Sequence, residues 1–175
     1  GLVLGALSKQ QIQTLIDPPF SLIAGYQNLN EQLQANGIDL TLQCIHMFLG
    51  PGHLGEANSS RILPETQEIP FSKGGIATLE PGSCYLLTLN ETINLPDSIM
   101  GISKPRSSLL RSGVAIHNAV WDAGYVGKGQ VLLVVHNPSG FSISKNARII
   151  QLVLFSLDEP TNSPYSGKFQ GQPIV

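Results

Sequence analysis

Short runs in which apolar and polar positions alternate, divided by Gly and Pro turns, make up most of this chain. Alternation with a period of two reads as half-buried strand. It begins at Gly37-Ile-Asp-Leu-Thr-Leu42 and continues through Cys44 towards Phe48. Strands are expected at Ile76 to Leu79 and Cys84 to Leu89, with Glu80-Pro-Gly-Ser83 as a turn between them. A short segment ends at Leu95-Pro96, and further strands are expected at Ile99 to Ser103, Val114 to Val120, Gln130 to Val135, Phe141 to Ile143 and Ile149 to Leu157. Residues 50–61, rich in Gly, Ser and Asn, read as a loop. Helical signals are few. Ser8-Lys-Gln-Gln11 has the form of a capping box, Ile12, Leu15 and Ile16 give the turns after it one apolar face, and Asp17-Pro-Pro19 stops it. Pro105 is expected to open a second helix at its first position. Many short strands with one or two short helices predict an all-β, jelly-roll-like antiparallel β-barrel. The barrel domain is placed at residues 1–158. From Asp158 the chain turns rich in Pro, Ser, Gly and Asn, so residues 159–175 are expected to form a flexible C-terminal lid.

Composition narrows the function more than the fold. The 175 residues suit one domain, and 42% apolar content supports a sizeable core. Only 13% of residues are charged, about half the usual share, which points to a surface partly covered by subunit contacts. A net charge of −2 with no basic run argues against nucleic-acid binding through phosphate neutralisation. Cys44 and Cys84 are too few for a disulfide framework. Apart from Cys44 near His46, Cys and His do not cluster, and the H-x-E…P-C-x-x-C signature of zinc deaminases is absent, so no zinc site is expected. Gly1–Leu7 is apolar but short, without a basic leader, and no apolar run approaches a membrane span. A soluble cytoplasmic protein with no membrane contact is the expectation.

The candidate chemistry lies in Lys104-Pro-Arg-Ser-Ser-Leu-Leu-Arg-Ser-Gly-Val114, followed by Asp122-Ala-Gly-Tyr-Val-Gly127. Arg106 and Arg111 offer guanidinium forks, and Ser107 and Ser108 hydroxyls, at the start of a short helix, a set suited to phosphate oxygens. Asp122, before a Gly-containing turn, can be held rigidly beside a bound group. Each residue also has a plain structural reading: surface charge for the arginines, first-turn hydrogen bonding for the serines, a turn cap for Asp122, barrel packing for Tyr125 and Trp121. Gln151, inside the apolar run Ile149–Phe155, needs a partner for its amide, which favours a ligand or subunit contact. His117 and His136 read as strand residues, and Asn118 as a possible contact to a base edge.

In order along the chain, Leu7-Ser-Lys-Gln-Gln-Ile12, Gly37-Ile-Asp-Leu-Thr-Leu42, Pro105-Arg-Ser-Ser-Leu-Leu-Arg111, Val120-Trp-Asp-Ala-Gly-Tyr-Val-Gly127, Ala147-Arg-Ile-Ile-Gln-Leu152 and Lys168-Phe-Gln-Gly-Gln172 resemble the family of trimeric dUTP diphosphatases and dCTP deaminases. The resemblance runs from Leu7 to Gln172. It implies a homotrimer with sites between subunits and a magnesium-bound nucleoside triphosphate. Arg106, Ser107, Ser108, Arg111 and Gln151 would contact phosphates. Asp122 would stand by the deoxyribose and the catalytic water, and Tyr125 would stack on the sugar and exclude a 2′-hydroxyl. Asn118 and the strand backbone around Gln130 would meet the base. Tyr165, Lys168 and Gln172 would close over the nucleotide, and Asp39 would be an outer ligand of Mg2+, through water.

One departure separates the branches. The resemblance puts a deaminase's proton-shuttling glutamate at Leu132, or at Val134 if the two additional residues before Asn137 form a bulge, and Lys128–His136 holds no carboxylate. Losing a positioned acid/base costs about 10²–10⁴-fold in rate. The reading is therefore a Mg2+-assisted dUTP diphosphatase. The alternatives are dCTP deamination, alone or with hydrolysis, and a regulatory module that binds nucleotide without turnover.

Overall fold

The computed structural model describes residues 5–171. After β1 (Gly5–Ala6), the capping box forms as its residues predict: Ser8 Oγ accepts from the Gln11 N–H at 3.3 Å, and Gln11 Oε1 accepts from the Ser8 N–H at 2.8 Å. It starts α1 (Lys9–Ile16), whose Ile12 and Ile16 are buried, and Asp17 ends it. Then come β2 (Ile23–Ala24), α2 (Leu29–Gln32), β3 (Leu33–Gln34), β4 (Gly37–Phe48), β5 (Thr66–Ile69), β6 (Ile76–Leu79), β7 (Cys84–Asn94) and β8 (Ile99–Pro105). The second half holds α3 (Ser107–Leu110), β9 (Val114–His117), β10 (Val126–Val135), β11 (Phe141–Ser144) and β12 (Arg148–Ser156).

The expected all-β fold is present as one curled antiparallel sheet. Its path runs β8-β12-β4-β7-β10-β9, with β1, β2, β3 and β5 paired along it, while β6 and β11 form a separate pair. A two-residue bridge between Gly101 and Trp121 draws the β8 edge towards the stretch after β9. The sheet curls as a half-barrel around Ile38, Leu40, Leu42, Leu87, Leu89, Leu133 and Ile149. No helix among the described residues is long and apolar enough to cross a membrane.

Several details depart from the expectations. Pro105 is the last residue of β8, and Arg106 is the N-cap of α3, so the helix opens two residues later than its proline suggests. The strand from Val114 stops at His117 because the chain then leaves β10 to pair with Gly101. A third short helix, α2, is nucleated by the Asn28 side chain, which accepts from the Glu31 N–H.

The core also contains an ionisable group. Glu91 on β7 is fully buried. Its carboxyl accepts from Thr41 Oγ1 (2.6 Å), the Thr41 N–H (3.0 Å) and Gln32 Nε2 (2.8 Å), and no cation pairs with it among the described residues. Burial pushes its pKa above the ordinary glutamate range, and these hydrogen bonds offset only part of that rise.

A nucleotide-sized pocket and a braced arginine cluster

Along β10 the side chains alternate, Val131, Leu133 and Val135 inward and Lys128, Gln130 and Leu132 outward. The outward face of this strand and of Leu86 on β7 forms the floor of a cavity of ≈ 690 Å³. Asn118 to Asp122 and Tyr125 make one wall, Phe48, Leu63, Pro64 and Thr66 the facing one, and Tyr165, Lys168 and Phe169 the cover. The volume and the mostly apolar lining with a few polar groups suit a nucleotide-sized ligand.

Local sequence builds this site. Gly129 lets Trp121 lie on β10, because a Cβ there would be driven into the indole ring. Trp121 Nε1 donates to Ser103 Oγ at 3.1 Å, and the ring meets Tyr125 edge-on with centroids 6.1 Å apart. The Tyr125 hydroxyl donates to the Lys128 carbonyl at 2.7 Å, and burial raises its pKa above the ordinary tyrosine range. Gly124, at φ 90°, makes the turn and leaves room for Pro164 and Tyr165. Asp122 itself is exposed and lines the cavity.

The tail is docked on this turn in the same chain. The Tyr165 N–H donates to the Ala123 carbonyl (2.9 Å), Gln170 Nε2 donates to the Gly124 carbonyl (2.9 Å), and Gln170 Oε1 accepts from the Val126 N–H (3.0 Å). The Tyr165 hydroxyl accepts from the Phe169 N–H at 3.1 Å. Arg61, from the loop read only as a connection, stands over the Phe169 ring at 5.7 Å, and Lys168 at 6.0 Å. Gln172 lies outside the described residues.

Of the expected site residues, Asp122, Asn118, Tyr125, Gln130, Tyr165 and Lys168 therefore share one cavity. Gln130 Nε2 donates to Thr88 Oγ1 at 3.0 Å. Asn118 donates weakly to the Ser103 carbonyl (3.4 Å), and its sheltered Oδ1 has no partner. Lys128 was not anticipated. Its outward position follows from the alternation of β10, but its neighbours do not.

Arg106, Ser107, Ser108, Arg111, Gln151 and Asp39 do not line this cavity. Asp39 is almost fully buried between two guanidinium groups: Arg148 Nη1 donates to its Oδ2 at 3.1 Å and Arg106 Nε lies 3.4 Å away. Gln34 Nε2 also donates to its Oδ2 at 3.2 Å. Burial pushes the pKa of this carboxyl above the ordinary aspartate range, with the two arginines pulling the other way. Within this chain Asp39 braces the two arginines through its Oδ2. Gln151 is half-buried on β12, opposite Asp39 in the register of the sheet. Ser107, Ser108 and Arg111 are exposed on and beside α3. Among the described residues no three His, Cys, Asp or Glu side chains converge on a point that would hold a metal ion.

Comparison with known proteins agrees with this picture. The profile of the dCTP deaminase-like family matches residues 6–157. The probable deoxyuridine 5′-triphosphate nucleotidohydrolase of Archaeoglobus fulgidus is 42% identical over 171 residues, covering 98% of this chain and 99% of that protein. The protein of the same description from Methanococcoides burtonii is 39% identical, covering 96% and 98%. Among solved structures, the 2′-deoxycytidine 5′-triphosphate deaminase of Agrobacterium tumefaciens superposes with a TM-score of 0.68 at 20% identity. That match covers 87% of this chain but 48% of the other, and it supports the fold.

Proposed function

The chain belongs to the dCTP deaminase-like family, and we propose that within it this protein is a dUTP diphosphatase, converting dUTP and water to dUMP and diphosphate. The observation that carries the reading is the charge content of the pocket. Among the described residues it has one carboxylate, Asp122, and two ammonium groups, Lys128 and Lys168. Ring deamination needs a second group to carry protons to and from the base. The position where the resemblance puts that group is Leu132, or Val134 with a bulge, and neither side chain can carry a proton. Phosphoanhydride hydrolysis needs one base and a clamped triphosphate.

In this mechanism Tyr125 packs on the deoxyribose, and its ring leaves no space for a 2′-hydroxyl. Asp122 accepts a hydrogen bond from a water and takes its proton as the water oxygen bonds to the α-phosphorus. The bond from that phosphorus to the bridging oxygen breaks, and diphosphate leaves. Tyr165, Lys168 and Phe169 keep bulk water away from the reacting atoms. Arg106, Ser107, Ser108 and Arg111 serve the phosphates from a neighbouring subunit, because in their own chain they stand outside the cavity. The assembly is a homotrimer with composite sites. Mg2+ in this reading would arrive with the substrate and neutralise its triphosphate. The cytosol, where free nucleotides are found, is the compartment that suits this activity.

Chromatography after incubation with Mg2+ and either dUTP or dCTP tests the reading. The expected products are dUMP and diphosphate from dUTP. Ammonia released from dCTP at a comparable rate overturns it in favour of deamination. Binding of dUTP without turnover overturns it in favour of a regulatory module.

A further inference from the structure

We infer that Lys128 is a specificity residue that reads the carbonyl at position 4 of the pyrimidine and so selects uracil over cytosine. The inference rests on the nucleotide reading of the pocket. Lys128 lines the cavity on the outward face of β10, and its ammonium is part-buried. Its one hydrogen-bond partner among the described residues is the neutral Gln43 Oε1 at 3.0 Å, and no carboxylate pairs with it. A sheltered ammonium with a single neutral acceptor has two donors to spare, and it cannot accept a hydrogen bond.

Position along the strand assigns it to the base. Tyr125, the platform for the sugar, donates its hydroxyl to the Lys128 carbonyl. Asp122, on one side of Tyr125 in the chain, is where the phosphate chemistry occurs. Lys128 and Gln130 lie on the other side, on the floor beside Leu86. Asn118, which also lines the cavity, has a buried Oδ1 without a partner among the described residues. A donor-only cation and a vacant acceptor are the complement of uracil, which offers a carbonyl at position 4 and an N–H at position 3. Cytosine presents an amino group at position 4, which would oppose the ammonium donor to donor. Sites that reject a substrate by leaving buried polar groups unpaired discriminate strongly.

The test compares kcat/KM for hydrolysis of dUTP and dCTP in the wild type, Lys128→Met and Lys128→Arg. Lys128→Met is expected to lose about 10–100-fold of the dUTP preference, the range of one charge-assisted hydrogen bond. Lys128→Arg, still a donor-only cation, is expected to keep most of it. Equal losses on both nucleotides in Lys128→Met overturn the proposal, since a folding or phosphate role would lower them together. In parallel, Kd is measured for the non-hydrolysable α,β-imido analogues of dUTP and dCTP. If the wild type turns over neither nucleotide, the hydrolase reading fails. The Kd ratio still decides Lys128: a preference for the uracil analogue that falls in Lys128→Met supports it, and equal wild-type affinities overturn it.

Discussion

Tyr165 meets Tyr125 edge-on, with ring centroids 5.4 Å apart and planes at 73°. Both rings line the cavity, so in the proposed mechanism this pair would couple the tail to the platform for the sugar. Such pairs are worth about 0.5–1.5 kcal/mol beyond their buried area. Tyr165→Ala is therefore expected to lower kcat/KM for dUTP by about two- to tenfold. Deleting everything after Thr161 should depress turnover much further, with the melting temperature of the barrel little changed. Full activity in the truncated protein, measured by diphosphate release, would refute the role of the tail as a cover.

Among the described residues, Asp122 is the sole carboxylate lining the cavity. Asp122→Asn keeps the shape of the turn and removes the base, so turnover should fall by roughly 10²-fold or more while nucleotide binding is largely retained. Single-turnover rates together with calorimetric Kd values check both halves. Turnover within a few fold of wild type would return Asp122 to the role of a turn residue.

The proposed phosphate clamp of Arg106, Ser107, Ser108 and Arg111 lies outside the cavity of its own chain, so the proposed site requires a trimer. Light scattering of the purified protein at micromolar concentration should give three times the monomer mass. A monodisperse and active monomer would show that both sets serve one chain.

Glu91 makes a prediction about pH. Its pKa is raised in the folded chain, so the native state binds a proton more tightly than the unfolded state does. Its contribution to stability is thus fully present below the ordinary glutamate pKa and is lost as pH rises through the raised native value. Glu91→Gln cannot ionise. The difference in melting temperature between variant and wild type should shift in favour of the variant across that window and stay constant above it. A pH-independent difference would mean that Glu91 titrates normally.

What could be read in advance follows the range of the forces involved. The capping box needs only Ser8 and Gln11, three residues apart, and it forms. The inward Val131, Leu133 and Val135 follow from alternation alone. The cavity residues around Asp122 were found because the turn and the tail each carry their own short motif. The brace at Asp39 was hidden because its partners arrive from β12 and from the end of β8, and no local pattern reports a register between strands so far apart in sequence. Pro105 misled for a related reason: pairing with Ile150 on β12 holds it in the strand against its own preference for a helix start. The neighbours of Lys128 depend on the shift of register between Lys128 and Gln130, which alternation does not encode.

The separation of Asp122 from Arg106 within one chain has a genetic consequence. In the proposed trimer, a subunit lacking Asp122 spoils the cavity it carries, and a subunit lacking Arg106 spoils the phosphate clamp it lends to a neighbour. Mixed in one assembly, the two defects fall together on some sites and spare others. Two alleles that are each inactive alone should then complement each other in the same cell, restoring a fraction of the activity.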